Sequence, residues 1–263
     1  MSNKASKMGR LQDLFEKKKT GVLNIYFTAG FPVIDGTVGI MRTLQSEGAD
    51  IIELGMPYSD PLADGPVIQA SSAIALQNGM SISTLFDQLR SFRKEIHIPV
   101  ILMGYMNPVL QYGFESFCKN AAEIGVDGLI LPDLPPFEFE HTYGPIMQRY
   151  GLDFIFLVTP ETSEERVRKL DQLSSGFLYA VSSSSTTGQE KNMDAVVSYI
   201  DRLNAYNLRN PILVGFGIKD KASFHLLSGH ANGGIIGSAF IHHLQKETDY
   251  LEATKTFIRS IIQ

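Results

Sequence analysis

The sequence predicts a (β/α)8 barrel, and three observations carry that expectation: a repeated helix-to-strand junction, eight short apolar runs, and a length of 263 residues. The junction occurs at Gly48-Ala49-Asp50, Gly125-Val126-Asp127 and Gly151-Leu152-Asp153, each time after an amphipathic helical pattern and before an apolar run. A glycine just past a helix takes the left-handed cap conformation without a Cβ penalty. A near-continuous apolar run behind it suits a parallel strand buried on both faces. Eight such strands alternating with helices over roughly 250 residues is the rhythm of a closed barrel. An open doubly wound sheet is the alternative reading of the same rhythm.

The elements follow in order. Residues 22–27 form the first apolar run, and the spacing of Val38, Met41 and Leu44 predicts a helix leading into the second, at 51–54. A long connection at 55–80 comes next, with a short helix of its own around 71–76. Loops after barrel strands sit on the catalytic face, so this enlarged one is a candidate lid or partner surface. Leu85, Leu89 and Phe92 mark a helix before the third run at 98–103, and the fourth and fifth runs are 129–131 and 154–157. Thr162-Ser163-Glu164-Glu165 reads as a capping box opening a helix through Val167, Leu170 and Leu173. The sixth run, 177–181, precedes a helix through Val196, Ile200 and Leu203; the seventh and eighth are 211–214 and 233–236. With no Pro/Gly/Ser-rich linker and no shift of composition, one barrel is expected over residues 1–263.

Composition narrows the function. The chain is 44% hydrophobic and 19% charged, which excludes collagen-like and disordered classes. Its 23 Lys and Arg against 28 Asp and Glu leave a net charge of −5, and no five like charges run together. That balance predicts no nucleic-acid partner and no membrane anchor. Cys118 is the one cysteine, so neither an internal disulfide nor a cysteine zinc site is expected. No apolar segment follows Met1 to Lys7 and no run approaches the ~18 apolar residues of a spanning helix, so the expectation is a soluble, unprocessed, cytoplasmic chain. The six histidines lack metal-ligand spacing and no nucleotide-binding glycine motif is present, so no metal and no nucleotide cofactor are expected.

The densest anomaly is residues 53–66. Glu53 ends an apolar strand, where an ionised carboxylate is costly unless its pKa rises or a partner compensates. A raised pKa is what a proton-transferring carboxylate needs, and the end of a barrel strand is where such a group belongs. A salt-bridged strand-end acid is the competing reading. Asp60 and Asp64, each beside a proline or glycine, are by themselves ordinary turn formers. Their loop leaves the strand that carries Glu53, which places a second carboxylate within reach of the same substrate. A separate constellation follows the last three runs: residues 182–188, then Gly215-Phe216-Gly217, then Gly237-Ser238. Small residues there leave backbone N–H groups open to a phosphate, with Ser238 at a helix start; tight-turn glycines are the alternative. Cys118 reads as a small core residue.

The segment Glu53-Leu54-Gly55-Met56-Pro57-Tyr58-Ser59-Asp60-Pro61-Leu62-Ala63-Asp64-Gly65-Pro66 closely resembles the signature of the tryptophan synthase alpha chain family. Phe27 to Pro32, Leu102 to Pro108, Val126 to Pro136, Val214 to Ile218 and Ile236 to Ala239 extend the resemblance over nearly the whole length. The resemblance implies a single TIM barrel with an extra N-terminal helix, cleaving indole-3-glycerol phosphate to indole and glyceraldehyde 3-phosphate without a cofactor. By the same resemblance Glu53 is the acid/base and Asp64 the second carboxylate, which holds the indole N–H. Tyr26, Tyr105, Ile130, Tyr179 and Thr187 are implied to contact substrate, and Gly188, Phe216, Gly217, Gly237 and Ser238 to bind its phosphate. A beta chain carrying pyridoxal phosphate is the implied partner in an alpha2beta2 heterotetramer, with Pro57, Asp60 and Asn107 facing it. Ser183 and Ser185 stand where many members have Arg and Gly, and Asn232 where Asp is common. The rival readings are a stand-alone lyase and a non-catalytic phosphate-binding barrel that activates a partner.

Overall fold

A computed structural model describes residues 9–181 and 193–263. Nine short strands lie in one sheet: β1 (Val22–Thr28), β2 (Ile51–Gly55), β3 (Val100–Met103), β4 (Gly128–Ile130), β5 (Asp153–Phe154), β6 (Leu157–Val158), β7 (Leu178–Ala180), β8 (Ile212–Val214) and β9 (Gly233–Ile236). Their order is β5-β4-β3-β2-β1-β9-β8-β7-β6, and every pairing is parallel.

The two ends of that order are the two halves of the fifth predicted run. Ile155 N donates to Leu129 O at 3.1 Å, while Tyr179 N donates to Phe156 O, also at 3.1 Å. Adjacent residues therefore bond to opposite neighbours, and the sheet closes. The barrel has eight staves, the fifth bent at its middle, where one continuous strand was expected. Gly48, Gly125 and Gly151 all take positive φ, at 105°, 95° and 68°, as their junctions require.

Side chains alternate between two apolar regions. Val22, Ile51, Ile101, Ile130, Ile155, Phe177, Leu213 and Ile235 pack together inside the barrel. Leu23, Ile25, Phe27, Ile52, Leu54 and Leu102 face the surrounding helices. The helix Arg10–Lys17 closes the amino end: Leu11 and Phe15 join the interior set, with the Phe15 ring 6.2 Å from that of Phe177. This is the extra N-terminal helix of the expected fold.

At two of the three junctions the aspartate has its own task. The Asp50 carboxylate accepts from Leu23 N at 2.7 Å and from Lys18 at 2.6 Å. Asp127 accepts from Val100 N at 2.7 Å, from Arg10 at 2.8 Å and from Arg93. Asn232 does likewise ahead of β9, its Oδ1 accepting from Ile212 N at 2.7 Å and its Nδ2 donating to Lys19 O at 2.8 Å. Each ties the start of one strand to the backbone of the next stave over, and Asn232 fills this role with its amide.

Two local expectations are corrected. The helix in the long connection spans Pro66–Gln77 rather than 71–76, with proline in its first turn, where no N–H is needed. The capping box at Thr162 does not form. Ser163 is the cap, accepting from Arg166 N at 3.4 Å, and the Thr162 hydroxyl is taken by Thr159 N in the preceding turn. With Arg166 at the third helical position, no glutamate returns the bond. Among the described residues no helix is long and apolar enough to cross a membrane, and no group of three His, Cys, Asp or Glu could hold a metal.

Candidate active site

Parallel pairing puts Tyr26 of β1 level with Glu53 of β2. The period of two along each strand then sends Asn24 and Tyr26, Ile51 and Glu53, and Phe177 and Tyr179 to the same side, the barrel interior. Glu53 is fully buried. Its Oε2 accepts from Asn24 Nδ2 at 2.8 Å, and its Oε1 has no partner among the described residues. Burial pushes the Glu53 carboxyl up to a pKa of about 8, the Asn24 bond pulling against it and the negative Asp64 adding to it. Among the described residues no cation sits on this carboxylate, so no salt bridge there accounts for it.

Asp64 lies half-buried in the loop after β2. Burial raises its pKa, and a bond from the Tyr105 hydroxyl opposes that rise. The same hydroxyl accepts from Ala63 N at 3.0 Å, so Tyr105, just beyond β3, pins the loop and orients its carboxylate together. Tyr26 and Tyr179 are buried, and their phenols are held well above the usual range, by burial first and then by the two carboxylates. They remain neutral hydroxyls on either side of an acidic centre. Ile130 is fully buried at the end of β4.

Close approach explains two glycines. A Cβ at Gly55 would collide with the hydroxyl end of Tyr26, and one at Gly215 with the ring of Tyr179. Gly215 thus makes room for an aromatic side chain, a use that its place in a glycine-rich loop did not announce. Gly217 has φ 75°, and Phe216 beside it is half-buried with its ring 6.3 Å from Tyr199. Gly237 caps the helix Ser238–Lys246, and Ser238 is exposed at its first position. The first N–H groups of that helix have no intrahelical acceptor and carry the positive end of its dipole. Thr187 and Gly188, with Ser183 and Ser185, lie outside the described residues.

At the outer rim Asp60 and Asn107 are exposed and Pro57 is half-buried. Asn107 Nδ2 donates to the Tyr58 hydroxyl at 2.9 Å, and the Tyr58 ring lies 5.5 Å from that of Tyr105. A chain of contacts thus runs from the rim at Asn107 through Tyr58 and Tyr105 to Asp64. Asn24 and Tyr58 were not singled out in the sequence. Asn24 did leave a signal, as the polar residue inside an apolar run and two positions before Tyr26. Cys118 is fully buried, its thiol pushed up to about 12 by burial, away from this centre on the helix Phe114–Ile124.

Residues 11–261 match the sequence profile of a family described as tryptophan synthase alpha chain. The tryptophan synthase alpha chain of Parabacteroides distasonis is 49% identical over 257 residues, covering 97% of this chain and all of that one. The Flavobacterium johnsoniae alpha chain is 52% identical over 236 residues, covering 89% and 92%. Among solved structures, tryptophan synthase subunit alpha from Legionella pneumophila superposes with a TM-score of 0.88 at 36% identity, covering 97% of each chain. Tryptophan synthase from M. tuberculosis gives 0.84 at 30% identity, covering 97% and 98%.

Proposed function

The chain belongs to the tryptophan synthase alpha chain family, and on that premise we propose that Glu53 and Asp64 carry its reaction, the retro-aldol cleavage of indole-3-glycerol phosphate in tryptophan biosynthesis. The observation that supports this assignment is a buried carboxyl with one free oxygen and a pKa of about 8, beside a second carboxylate. At neutral pH Glu53 is an acid with a proton to give. It passes that proton to indole C3, and Asp64 accepts the indole N–H and opposes the positive charge that forms on nitrogen. The Glu53 carboxylate then removes the proton of the adjacent side-chain hydroxyl. As that C–O becomes a carbonyl, the C–C bond to C3 breaks and its electrons restore the indole ring. One proton leaves Glu53 and one returns, so no cofactor is consumed.

Tyr26, Tyr105, Ile130 and Tyr179 line the indole pocket in this reading. Phosphate is held by backbone and hydroxyl donors at Phe216, Gly217, Gly237 and Ser238, with Thr187 and Gly188 completing the site. Pro57, Asp60 and Asn107 face a tryptophan synthase beta chain in an alpha2beta2 assembly. Pyridoxal phosphate belongs to that beta chain, and this chain has no cofactor of its own. A cytoplasmic setting fits its lone, buried cysteine.

The test is indole release from indole-3-glycerol phosphate, with and without a beta chain. Glu53→Gln keeps the shape and removes the transferable proton, so its kcat is expected to fall by about 10²–10⁴. Asp64→Asn is expected to lose most activity as well. Wild-type rates in Glu53→Gln would overturn the mechanism. Full turnover without a beta chain would favour the stand-alone lyase, and no indole under either condition the non-catalytic barrel.

A further inference from the structure

We propose that Asn24 is a positioning residue for the Glu53 carboxyl, holding Oε2 so that the travelling proton is carried on Oε1. The inference rests on the assignment of Glu53 as the acid/base. Asn24 is fully buried in the middle of β1, a strand buried at every residue. An amide in such a place is unfavourable unless both its polar groups are satisfied. Here only one is: Nδ2 donates to Glu53 at 2.8 Å, and Oδ1 is buried without a partner among the described residues. Asn24 therefore anchors no turn and joins no backbone bond through that oxygen. The contact that distinguishes it from an apolar residue is the one to the carboxyl.

That contact has two consequences. A bond between side chains of neighbouring strands fixes the carboxyl plane, and Oε1 is left as the oxygen able to exchange a proton with substrate. A donor also binds an ionised carboxylate more strongly than a neutral acid. Asn24 thus limits the rise that burial imposes on Glu53 and keeps the group titrating near neutrality. The other groups facing Glu53 are Tyr26 from β1, Tyr179 from β7 and Asp64 from the loop after β2. None is a cation, so among the described residues no charged donor shares the task with the neutral Asn24 amide.

The test compares Asn24→Thr with Asn24→Val, two side chains of one shape that differ by a hydroxyl for a methyl. kcat/KM for indole release is followed from pH 6 to 10 in the assembly with a beta chain. Activity needs protonated Glu53, so it falls on the alkaline side as that proton is lost. In Asn24→Val the alkaline limb is expected about one pH unit above wild type, with kcat down about tenfold and KM little changed. Asn24→Thr retains a donor and is expected to keep the limb near its wild-type position. A purely structural role would move both variants alike. Equal limbs in Val, Thr and wild type would overturn the proposal. Asn24→Leu, which fills the amide's volume, repeats the measurement if the valine variant fails to fold. Glu53→Gln in the same assay separates the two ideas: its activity tests the acid/base assignment, whatever Asn24 does.

Discussion

The burial that suits Glu53 to its proposed role as acid/base also weakens the fold, by the same physical cause. Unfolded, its carboxyl titrates at the ordinary 4.5; folded, burial raises that to about 8. Between those values the native state holds a proton that the unfolded state has released, so stability falls as pH rises. Its contribution is unimpaired below the unfolded pKa and is progressively lost up to the folded one, with a ceiling of about 5 kcal/mol for the full difference. Glu53→Gln is neutral at every pH, and its amide oxygen can still accept from Asn24. It is therefore expected to match wild type in urea unfolding at pH 4.5 and to exceed it by several kcal/mol at pH 9. An equal difference at both pH values would contradict the burial argument. Glu53 was legible in the sequence because an acid at the end of an apolar run is an anomaly that demands an explanation. The part Asn24 plays was not, although its polarity inside an apolar run stood out, because that part depends on which residue of β2 lies beside it, and register is a property of the closed sheet.

Elements were legible where burial on both faces forces an apolar run, as at β1, β2 and β9. The same uniformity hid the bend in the fifth stave. Phe154, Ile155 and Phe156 are all buried, so no alternation marks the place where the chain turns from β4 toward β7. The Gly-x-Asp junction was read for its glycine, and at Asp50 and Asp127 the aspartate proves to be a strand tie. Asp127 shows what that tie is worth. It is buried, and it satisfies Val100 N, Arg10 and the largely buried Arg93. Removing the carboxylate in Asp127→Ala strands a backbone donor and takes the counter-charge from a largely buried guanidinium that keeps only backbone carbonyls as acceptors, at an expected cost of about 3–5 kcal/mol. Asp127→Asn keeps an acceptor for Val100 N, as Asn232 does for Ile212 N, and is expected to lose clearly less. Urea titration of the three proteins checks the order; a variant Ala no weaker than Asn would refute the tie.

The molecule as a whole divides its labour between the ends of the barrel. Glu53, Asp64 and the tyrosines stand at the carboxyl ends of the strands, whereas Leu11 and Phe15 seal the amino ends beneath Phe177 and Val22. Between them Ile51, Ile101, Ile155, Leu213 and Ile235 fill the interior, with Ile51 two residues below Glu53 on the same face. The plug is therefore expected to matter for stability and not for chemistry. Leu11 is fully buried, and its Cδ1 would lie 3.0 Å from a Cβ placed on Gly176, so little slack surrounds it. Leu11→Ala opens a cavity in that seal and is expected to cost about 2–5 kcal/mol in urea unfolding. At a temperature well below its melting point, the variant should retain the wild-type alkaline limb and a kcat within about twofold. The layer at Ile51 decides the outcome: if it holds its place, Glu53 keeps its burial and its pKa. A displaced limb in Leu11→Ala would show instead that packing at the amino end reaches the carboxyl group through that interior column, and the two ends would have to be treated as one site.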